Sequence, residues 1–455
     1  MLNRALALFV LPFFSFALDT SSLNVDEAAM FGSSNQSLVS AESLTKAGLG
    51  SNAFPQVKFG GRLFTSADWG VRRGLGNSNY AWSNNLLQTY LQGDLSLDVR
   101  VNDGFRMFGS ASVSYAPAVS VPIVSTNFLI NASSLVVTTN VQTNFQNSTN
   151  IAAIVFKEFF ADLNIARIVY LRLGKQNLAW GRGYFWTPTD LINIQKVDFV
   201  NRDISREGTY GLRLHIPYKT YFNFYGFANA GSTLDFNKYS LALKTEFLIG
   251  PVEFALSGLF RPNRRSVFGA DFSFGIAGWN FYGEGLLAQD GQTDKLRTNS
   301  VTNIIVYAVP ESYRETNAFL RANIGVSKSF DQDRFTFGVE GFYNGEGYDN
   351  NPLGDPTLKP AFSLGLGYKP LEFGKWYAAA YISRSELFAK TTTIGVSTVW
   401  NILDGSLLVS PSITVVPFDY FTASFRLPMY FGPENREFTF QDRQLNAQLE
   451  LSYRF

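Results

Sequence analysis

The sequence predicts an all-β protein, a transmembrane antiparallel up-and-down β-barrel of about 18 strands, with 16 as the next most favoured number. Residues 444–455 alternate without a break between an apolar face ending in Phe455 and a polar face ending in Arg454. A chain that stops on such a strand has the pattern of the closing strand of a membrane barrel. Hydrophobic residues make up 46% of the chain, with 43 Phe and 21 Tyr. Beyond the first 17 residues no window of 18 is continuously apolar, so this content must be distributed over alternating strands.

The N-terminus predicts export. Arg4 precedes an apolar run over residues 5–11, and Ser-Phe-Ala at 15–17 suits cleavage after Ala17. The alternative, a membrane anchor, is disfavoured because the run is too short for a spanning helix, which needs about 20 apolar residues. We therefore expect a signal peptide over 1–17, a periplasmic segment over 18–55 that is mobile or docked in the lumen, and an integral outer-membrane barrel over 56–455.

The charge balance and the cysteine content exclude several classes of protein. The chain has 38 Lys and Arg against 37 Asp and Glu, and cleavage would remove Arg4 and leave it neutral. A neutral balance argues against a nucleic-acid partner. The chain has no cysteine, so it does not rely on disulfides and has no lipoprotein cysteine after the signal. The expected partners are outer-membrane lipid, the barrel-assembly machinery through the strand ending in Phe455, and a small hydrophilic solute; no cofactor is expected.

Period-two alternation marks the strands. Residues 87–101 and 105–115 are joined by Asn102-Asp103-Gly104 and are longer than most strands of soluble sandwiches. With the closing strand and sixteen others the total is nineteen, but bacterial single-chain barrels have an even number. We expect the error in a misdivided segment within 407–427 or in a strand hidden in 128–137. The other candidates are 57–67, 156–164, 168–178, 209–216, 221–230, 239–249, 252–260, 267–276, 281–288, 316–330, 334–344, 361–368, 376–382, 391–400, 407–416 and 420–427.

The connections between these strands alternate in length, as a membrane barrel requires. The short set is expected at the periplasmic rim and the long set at the extracellular rim. The short turns are 102–104, 217–219, 250–251 and 331–333, and the long excursions are 69–85, 116–155, 179–208, 289–314 and 345–360.

Charged residues within the strands fall on the polar face. On the lipid face each would cost about 2–4 kcal/mol near the bilayer midplane, so a lumen that solvates or pairs them is favoured. The alternative is that such charges only brace the barrel wall. The predicted lumen-facing residues are Arg172, Arg213, Glu246, Asp271, Arg321 and Glu340.

One long connection combines aromatic and charged residues. Trp180, Tyr184, Phe185 and Trp186 precede a dense, nearly balanced cluster of charges. If this connection folds inward, pore size and local field would select the solute. The alternative is an external loop with aromatics at the membrane interface. The predicted pore constriction consists of Arg182, Asp190, Arg202, Asp203 and Arg206.

Several short motifs resemble known proteins. They are Leu-Gly-Lys-Gln at 173–176 with Trp-Gly at 180–181, Thr-Asp-Leu-Ile-Asn at 189–193, Asn-Ile-Leu-Asp-Gly-Ser at 401–406, Leu-Val-Ser-Pro-Ser at 408–412, Phe-Gly at 431–432 and Glu-Phe at 437–438. Together they resemble a pattern in alginate-export-like and related porin-type families of Gram-negative outer membranes. The resemblance implies a large monomeric barrel that passes a hydrophilic solute. It does not imply alginate, because a densely basic lumen is typical of that pore and the charge here is balanced.

We therefore predict an outer-membrane channel for passive or solute-selective passage of small hydrophilic molecules. Two alternatives remain: a surface adhesin or structural barrel with no open pore, and an outer-membrane enzyme. An enzyme is disfavoured because the only histidine, His215, lies next to the turn at Pro217, and no catalytic or metal-binding motif accompanies it. We predict no catalytic, cofactor-binding or metal-binding residues.

Overall fold

The computed structural model describes most of the chain beyond its N-terminal region. The described residues are 55–72, 86–116, 120–130, 137–147, 151–192, 207–231, 239–262, 264–292, 294–302, 306–314, 316–363, 369–388, 391–440 and 443–455. The predicted signal peptide and all but the last residue of segment 18–55 lie outside them.

The described strands form one closed antiparallel sheet and two separate hairpins. Successive strand positions in the wall pair with each other, and the first strand pairs with both the second and the last. The barrel strands are β1 (Gln56–Arg72), β2 (Leu86–Asn102), β3 (Phe105–Ala116), β6 (Ile151–Ile165), β7 (Val169–Gln176), β8 (Thr209–Tyr218), β9 (Phe222–Gly231), β10 (Ser240–Ile249), β11 (Val252–Arg261), β12 (Arg264–Ile276), β13 (Trp279–Ala288), β16 (Phe319–Phe330), β17 (Phe335–Asn344), β18 (Trp376–Ser385), β19 (Thr392–Asn401), β20 (Ser406–Phe418), β21 (Phe421–Arg426), β22 (Met429–Phe431) and β23 (Arg443–Arg454).

The predicted barrel of 18 strands is confirmed. The sheet contains 19 strand segments, but β21 and β22 both lie between β20 and β23 and together occupy one position in the wall. The break falls at Pro428, which has no backbone N–H to donate to a neighbouring strand. The carbonyl of Pro428 still accepts from the N–H of Asn446 at 2.8 Å, so the wall remains continuous there.

One predicted strand is wrong, and it accounts for the odd total. Residues 361–368 were expected to be extended, but the chain forms a short helix over Lys359–Ser363. Ala361 and Phe362 are consecutive and both buried, which a helical turn allows and a period-two strand does not. Residues 364–368 lie outside the described part of the chain.

The long excursions contain additional β-structure. Of the segment 128–137, where a hidden strand was suspected, residues 128–130 end β4 (Ser120–Ile130) and residue 137 begins β5 (Val137–Asn147), while residues 131–136 lie outside the described part of the chain. The strands β4 and β5 pair in a sheet of their own and add no strand to the barrel. A second hairpin, β14 (Lys295–Thr302) and β15 (Val306–Tyr313), occupies most of the excursion at 289–314. Strand pairing also extends further into two excursions than predicted, because β1 reaches Arg72 and β6 begins at Ile151.

Alternation along each strand separates two faces. On β16, Leu320 and Ile324 are 46% and 67% exposed, whereas Arg321 and Asn323 are 6% and 5% exposed. A strand sends successive side chains to opposite faces, so the exposed face is apolar and the sequestered inner face carries the polar residues. This distribution suits a wall between hydrocarbon and water. Among the described residues, no helix is long and apolar enough to cross a membrane.

Closure of the barrel rests on the pairing of β23 with β1. Their register runs from Arg62 opposite Arg454 to Arg72 opposite Arg443. Beyond the last strand residue, Phe455 and Gly61 exchange two backbone hydrogen bonds of 2.9 and 3.0 Å. A Cβ on Gly61 would meet the Phe455 ring and would lie 2.9 Å from the Asp94 carbonyl oxygen, so a larger residue there would displace the ring or the neighbouring strand.

Candidate functional site

A segment inside the barrel defines the candidate site. Residues 177–192, here called the inner loop, follow β7 and contact the inner face of strands on the far side of the wall. Near the end of β7, Gly174 has a φ of +132°, which disfavours other residues, and a Cβ there would lie 2.2 Å from the carbonyl oxygen of Phe159. Within the loop, a Cβ on Gly183 would lie 1.8 Å from the carbonyl oxygen of Trp186. Glycine at both positions therefore allows this path.

Two apolar clusters attach the inner loop to the wall. Leu178, Trp180 and Ile192 belong to a cluster formed with inward residues of β9–β13 and β16. Phe185 and Trp186 belong to a second cluster with inward residues of β17–β20. The Trp186 ring stacks on Phe342 at a centroid distance of 5.0 Å. The loop therefore contributes the aromatic core that fills part of the interior.

A buried carboxylate on β13, Glu284, binds the backbone of the inner loop. It accepts hydrogen bonds from the N–H of Gly183 at 2.6 Å and from the N–H and hydroxyl of Thr189 at 3.0 and 2.7 Å. The N–H of Arg182 donates to the same carboxylate. Hydrogen bonds to an ionised group are about twice as strong as neutral ones, so Glu284 fixes both ends of the turn between residues 182 and 189.

Glu340 on β17 binds the next part of the loop. It accepts from the N–H groups of Tyr184, Phe185 and Trp186 at 2.8, 3.3 and 2.9 Å. The Tyr282 hydroxyl donates to it at 2.9 Å, and the Asn323 amide donates at 3.1 Å. The side chain is 3% exposed, so this predicted lumen-facing residue is engaged by the loop.

Arg182 connects the inner loop to two further carboxylates. Its Nε donates to Asp271 at 2.5 Å, and its Nη1 donates to the Ser273 hydroxyl at 2.8 Å and to Glu253. Asp271 is fully buried, whereas the Glu253 side chain is 55% exposed. Lys244 lies 3.5 Å from Asp271 and 3.0 Å from Glu246, which extends the charged row along the wall.

Three further residues that were predicted to face the lumen are buried on the polar face of their strands. Arg172 makes a bidentate pair with Asp162 at 2.6 and 3.0 Å. Arg321 lies 2.9 Å from Glu346. Arg213 is buried with its guanidinium 5.6 Å from the Tyr225 ring centroid. These contacts are what bracing of the wall requires.

The predicted constriction is described only in part. Arg182 has the contacts given above, and the Asp190 N–H donates to the Thr187 carbonyl at 3.0 Å. Arg202, Asp203 and Arg206 lie outside the described residues. Glu284 was absent from the predicted site, although its position between Gly283 and Gly285 on the polar face of a strand distinguishes it in the sequence.

Another part of the inner wall carries largely buried ion pairs. Arg62 and Lys157 flank Asp94 at 3.4 and 3.5 Å, with side-chain exposures between 11% and 16%. Arg106 pairs with Asp98 at 2.9 Å. These strands, β1–β3 and β6, contribute no residue to the two apolar clusters that include the inner loop.

His215 is a buried side chain that packs against its neighbours in the wall. It is 2% exposed, its ring stacks on Tyr225 at 4.4 Å, and its Nε2 lies 3.1 Å from the Asn223 amide oxygen. Within the described part of the chain, no group of three or more His, Cys, Asp or Glu residues is arranged to hold a metal ion.

Comparison with solved structures gives the same barrel class. OccAB4 of Acinetobacter baumannii is similar with a TM-score of 0.50 and 10% identity, covering 88% of this chain and 98% of that one. OccK8 (OprE) of Pseudomonas aeruginosa has a TM-score of 0.50 and 7% identity, covering 88% and 98%. A triple mutant of the Rh. blastica porin has a TM-score of 0.41 and 11% identity, covering 88% and 100%. No family model and no curated protein matches the sequence. The likeness to OccAB4 and OccK8 establishes the fold.

Proposed function

We propose that this protein is an outer-membrane channel for small hydrophilic solutes and that the inner loop narrows its lumen. The fold shared with OccAB4 and OccK8 supports a porin-like barrel. The resemblance of residues 173–193 to alginate-export-like porin families supports the same class. On this proposal the outward apolar face of the wall contacts outer-membrane lipid, and the barrel-assembly machinery recognises the strand that ends in Phe455.

The observation that carries the proposal is the attachment of the inner loop to the far wall. A loop that served only outside the barrel would not need two buried wall carboxylates, Glu284 and Glu340, to bind its backbone. Held in this way, the loop reduces the cross-section available to a solute. Pore diameter and lining charges then decide which solutes pass.

Charged side chains at the loop supply the selectivity on this proposal. Arg182 lies at the inner face with 19% of its side chain exposed, and Asp190, Arg202, Asp203 and Arg206 complete the proposed constriction. Exposed ion pairs contribute only about 0–1 kcal/mol to stability, so a dense cluster of charges in one loop is better explained by its effect on passing ions.

Reconstitution into a planar bilayer tests the proposal. Replacing Arg182, Arg202 and Arg206 with Ser is expected to shift the reversal potential toward cation selectivity, because three fixed positive charges are removed. Deleting the central residues of the inner loop is expected to raise single-channel conductance. The control is Arg297→Ser, which removes an arginine that is 59% exposed on the β14–β15 hairpin.

The outcome also separates the channel from its alternatives. A folded barrel that conducts no ions would be an adhesin or a structural barrel. A conducting barrel whose selectivity and conductance change in neither loop variant would still be a channel, and the constriction would have to lie elsewhere in the lumen.

A further inference from the structure

The inner face of β16–β20 carries hydroxyl side chains between the second apolar cluster and the short turns at 331–334 and 419–420. Each of these residues lies an even number of positions from Asn323, Glu340 or an inward residue of that cluster on its own strand, so all of them share the inner face. We call this surface the hydroxyl patch. It consists of Ser327, Thr336, Ser383, Ser397, Ser410 and Ser412.

The hydroxyl patch is continuous and uncharged. Thr336 lies opposite Ser383 across the pair of β17 and β18. Ser383 and Ser412 both lie opposite Gly395, so only a position without a side chain separates them. No inward position within the patch carries a charge. The inner face of β1–β3 and β6 carries ion pairs instead, so the two sides of the lumen offer different chemistry to a solute.

Three hydroxyls of the patch lack a partner. Ser410 is 6% exposed and lies opposite Ser397. Within the part of the chain that the structure describes, the hydroxyls of Ser383, Ser397 and Ser410 make no hydrogen bond to another protein group. A hydroxyl that is taken from water without a partner loses its solvation. A ligand with hydroxyl groups of its own would restore that hydrogen bond at Ser410, since a hydroxyl both donates and accepts.

Two tyrosines border the patch where it meets the inner loop. Tyr381 lies two residues before Ser383 on the same face, and its ring lies across Gly338, where a Cβ would overlap it. Tyr184 of the inner loop stacks on Tyr381 at a centroid distance of 3.9 Å and an interplanar angle of 15°. Both side chains are half-buried. They therefore place an apolar surface with a polar tip next to the serines.

We propose that the hydroxyl patch, together with Tyr184 and Tyr381, binds neutral polyhydroxylated solutes, that is, sugars or polyols. The inference rests on the proposed channel function and names the class of solute. A sugar carries hydroxyl groups at its rim and C–H groups on the faces of its ring, and these match the serines and the tyrosines. A charged solute would lose hydration at this wall without gaining an opposite charge.

Current block by sucrose in planar bilayers tests the proposal on the full-length protein. Sucrose is compared with a polyethylene glycol of the same hydrodynamic radius, which fills the same space but has no hydroxyl groups along its chain. We expect sucrose to reduce the single-channel current at lower concentrations than the polymer does. Replacing Ser383, Ser397 and Ser410 with Ala is expected to raise the half-blocking concentration of sucrose roughly tenfold, because the hydrogen bonds to the solute are lost.

The matched control replaces Ser66, Ser96 and Ser110 with Ala, which removes three inward hydroxyls from β1–β3 and is expected to leave the block by sucrose unchanged. Folding of each variant is verified by heat-modifiable migration in electrophoresis. Equal block by sucrose and the polymer, or equal block in the patch variant and the control, would overturn the proposal.

Saturation-transfer NMR with sucrose, in a detergent without a sugar headgroup, measures binding without conduction. A loss of saturation transfer in the patch variant alone would support the site even in a barrel that conducts no ions, and only the channel function would then fail. A conducting barrel that gives no saturation transfer to sucrose would keep the channel function and overturn this proposal.

Discussion

At the residue scale, the inner loop is positioned by carboxylates that bind backbone N–H groups. Glu284 and Glu340 together accept from the N–H groups of residues 182–186 and of residue 189. Removing one partner from a buried hydrogen bond leaves donors that lose their solvation, and this costs about 1–3 kcal/mol for each group. The two carboxylates are therefore expected to determine whether the loop stays against the wall.

Replacing both carboxylates with amides, Glu284→Gln and Glu340→Gln, is expected to loosen the loop. Each glutamine keeps one acceptor oxygen but loses the charge, so the backbone hydrogen bonds weaken while the side-chain volume is unchanged. We expect larger current fluctuations and a higher mean single-channel conductance. The control is Glu311→Gln, at an exposed pair on a hairpin. Recordings indistinguishable from those of the unmodified protein would show that the apolar clusters alone hold the loop.

A third buried carboxylate, Glu437, lies outside the strands. It binds the segment before β18, the start of β18 and the end of β19. It accepts from the Leu371 N–H at 2.5 Å, the Tyr377 hydroxyl at 2.7 Å and the Asn401 amide at 2.6 Å. Burial raises the pKa of Glu437 to about 8, against the hydrogen bonds from Tyr377 and Asn401, which lower it. Leu371 also accepts from the Trp186 indole at 2.9 Å, which connects Glu437 to the inner loop.

This raised pKa predicts a pH dependence of stability. Between the ordinary value of 4.5 and about 8 the folded protein keeps a proton on Glu437 that the unfolded chain has released. The contribution of Glu437 to the free energy of unfolding is therefore complete below about pH 4.5. It is lost as the pH rises from there through 8, by up to about 1.4 kcal/mol for each pH unit. Urea unfolding in detergent from pH 5 to 9 should show this slope, and Glu437→Gln should remove it. An equal slope in Glu437→Gln and in the control Asp103→Asn would contradict the assignment.

At the element scale, the β1–β23 pairing removes the free edges of the sheet. Deleting Leu449–Phe455 is expected to abolish assembly, because it removes most of the residues of β23 that pair with β1. Phe455→Asp is expected to weaken assembly, since the ring packs on Gly61 and lies 6.3 Å from Phe59. Heat-modifiable migration and protease resistance measure the result. The control is Phe388→Asp, at an 82% exposed position. A truncated protein that still forms a resistant barrel would contradict the prediction.

The two faces of a single strand provide another test. Leu97 is 46% exposed on the apolar face of β2, whereas the hydroxyl of its neighbour Ser96 donates to the Gly60 carbonyl at 3.2 Å on the inner face. Leu97→Arg is expected to cost about 2–4 kcal/mol near the bilayer midplane, and Ser96→Arg is expected to be tolerated. Folding free energies in lipid vesicles measure both, and equal values would show that the faces are misassigned.

The strands were predictable because their signal is local. Alternation identified nearly every barrel strand, including the closing one, since each strand encodes its two faces in consecutive residues. The prediction of a strand at 361–368 failed because Ala361 and Phe362 belong to a buried cluster with Leu296 and Phe440, which are distant in sequence. The same limit applied to Glu284, whose partners lie about a hundred residues earlier in the chain.

At the scale of the whole molecule, the interior has two kinds of wall. From β9 to β20 the inner face carries the wall residues of the two apolar clusters, together with the ion pairs of Arg182 and Lys244. On β1–β3 and β6 it carries largely buried ion pairs, and these strands contribute no residue to the two clusters. The overall charge balance was visible in the composition. The unequal distribution over the wall depends on the path of the inner loop, so the composition could not predict it.

Attachment through the backbone has a consequence for how such a protein can change over generations or in the laboratory. Every amino acid except proline supplies the N–H that Glu284 and Glu340 bind, so the anchorage at residues 182 and 184 does not depend on which side chains occupy them. A new side chain at residue 182 or 184 keeps these backbone hydrogen bonds, but it removes the ion pairs of Arg182 or the stacking of Tyr184 on Tyr381. The barrel, Glu284 and Glu340 would stay unchanged, while the size and charge of the side chains on the inner loop could be altered.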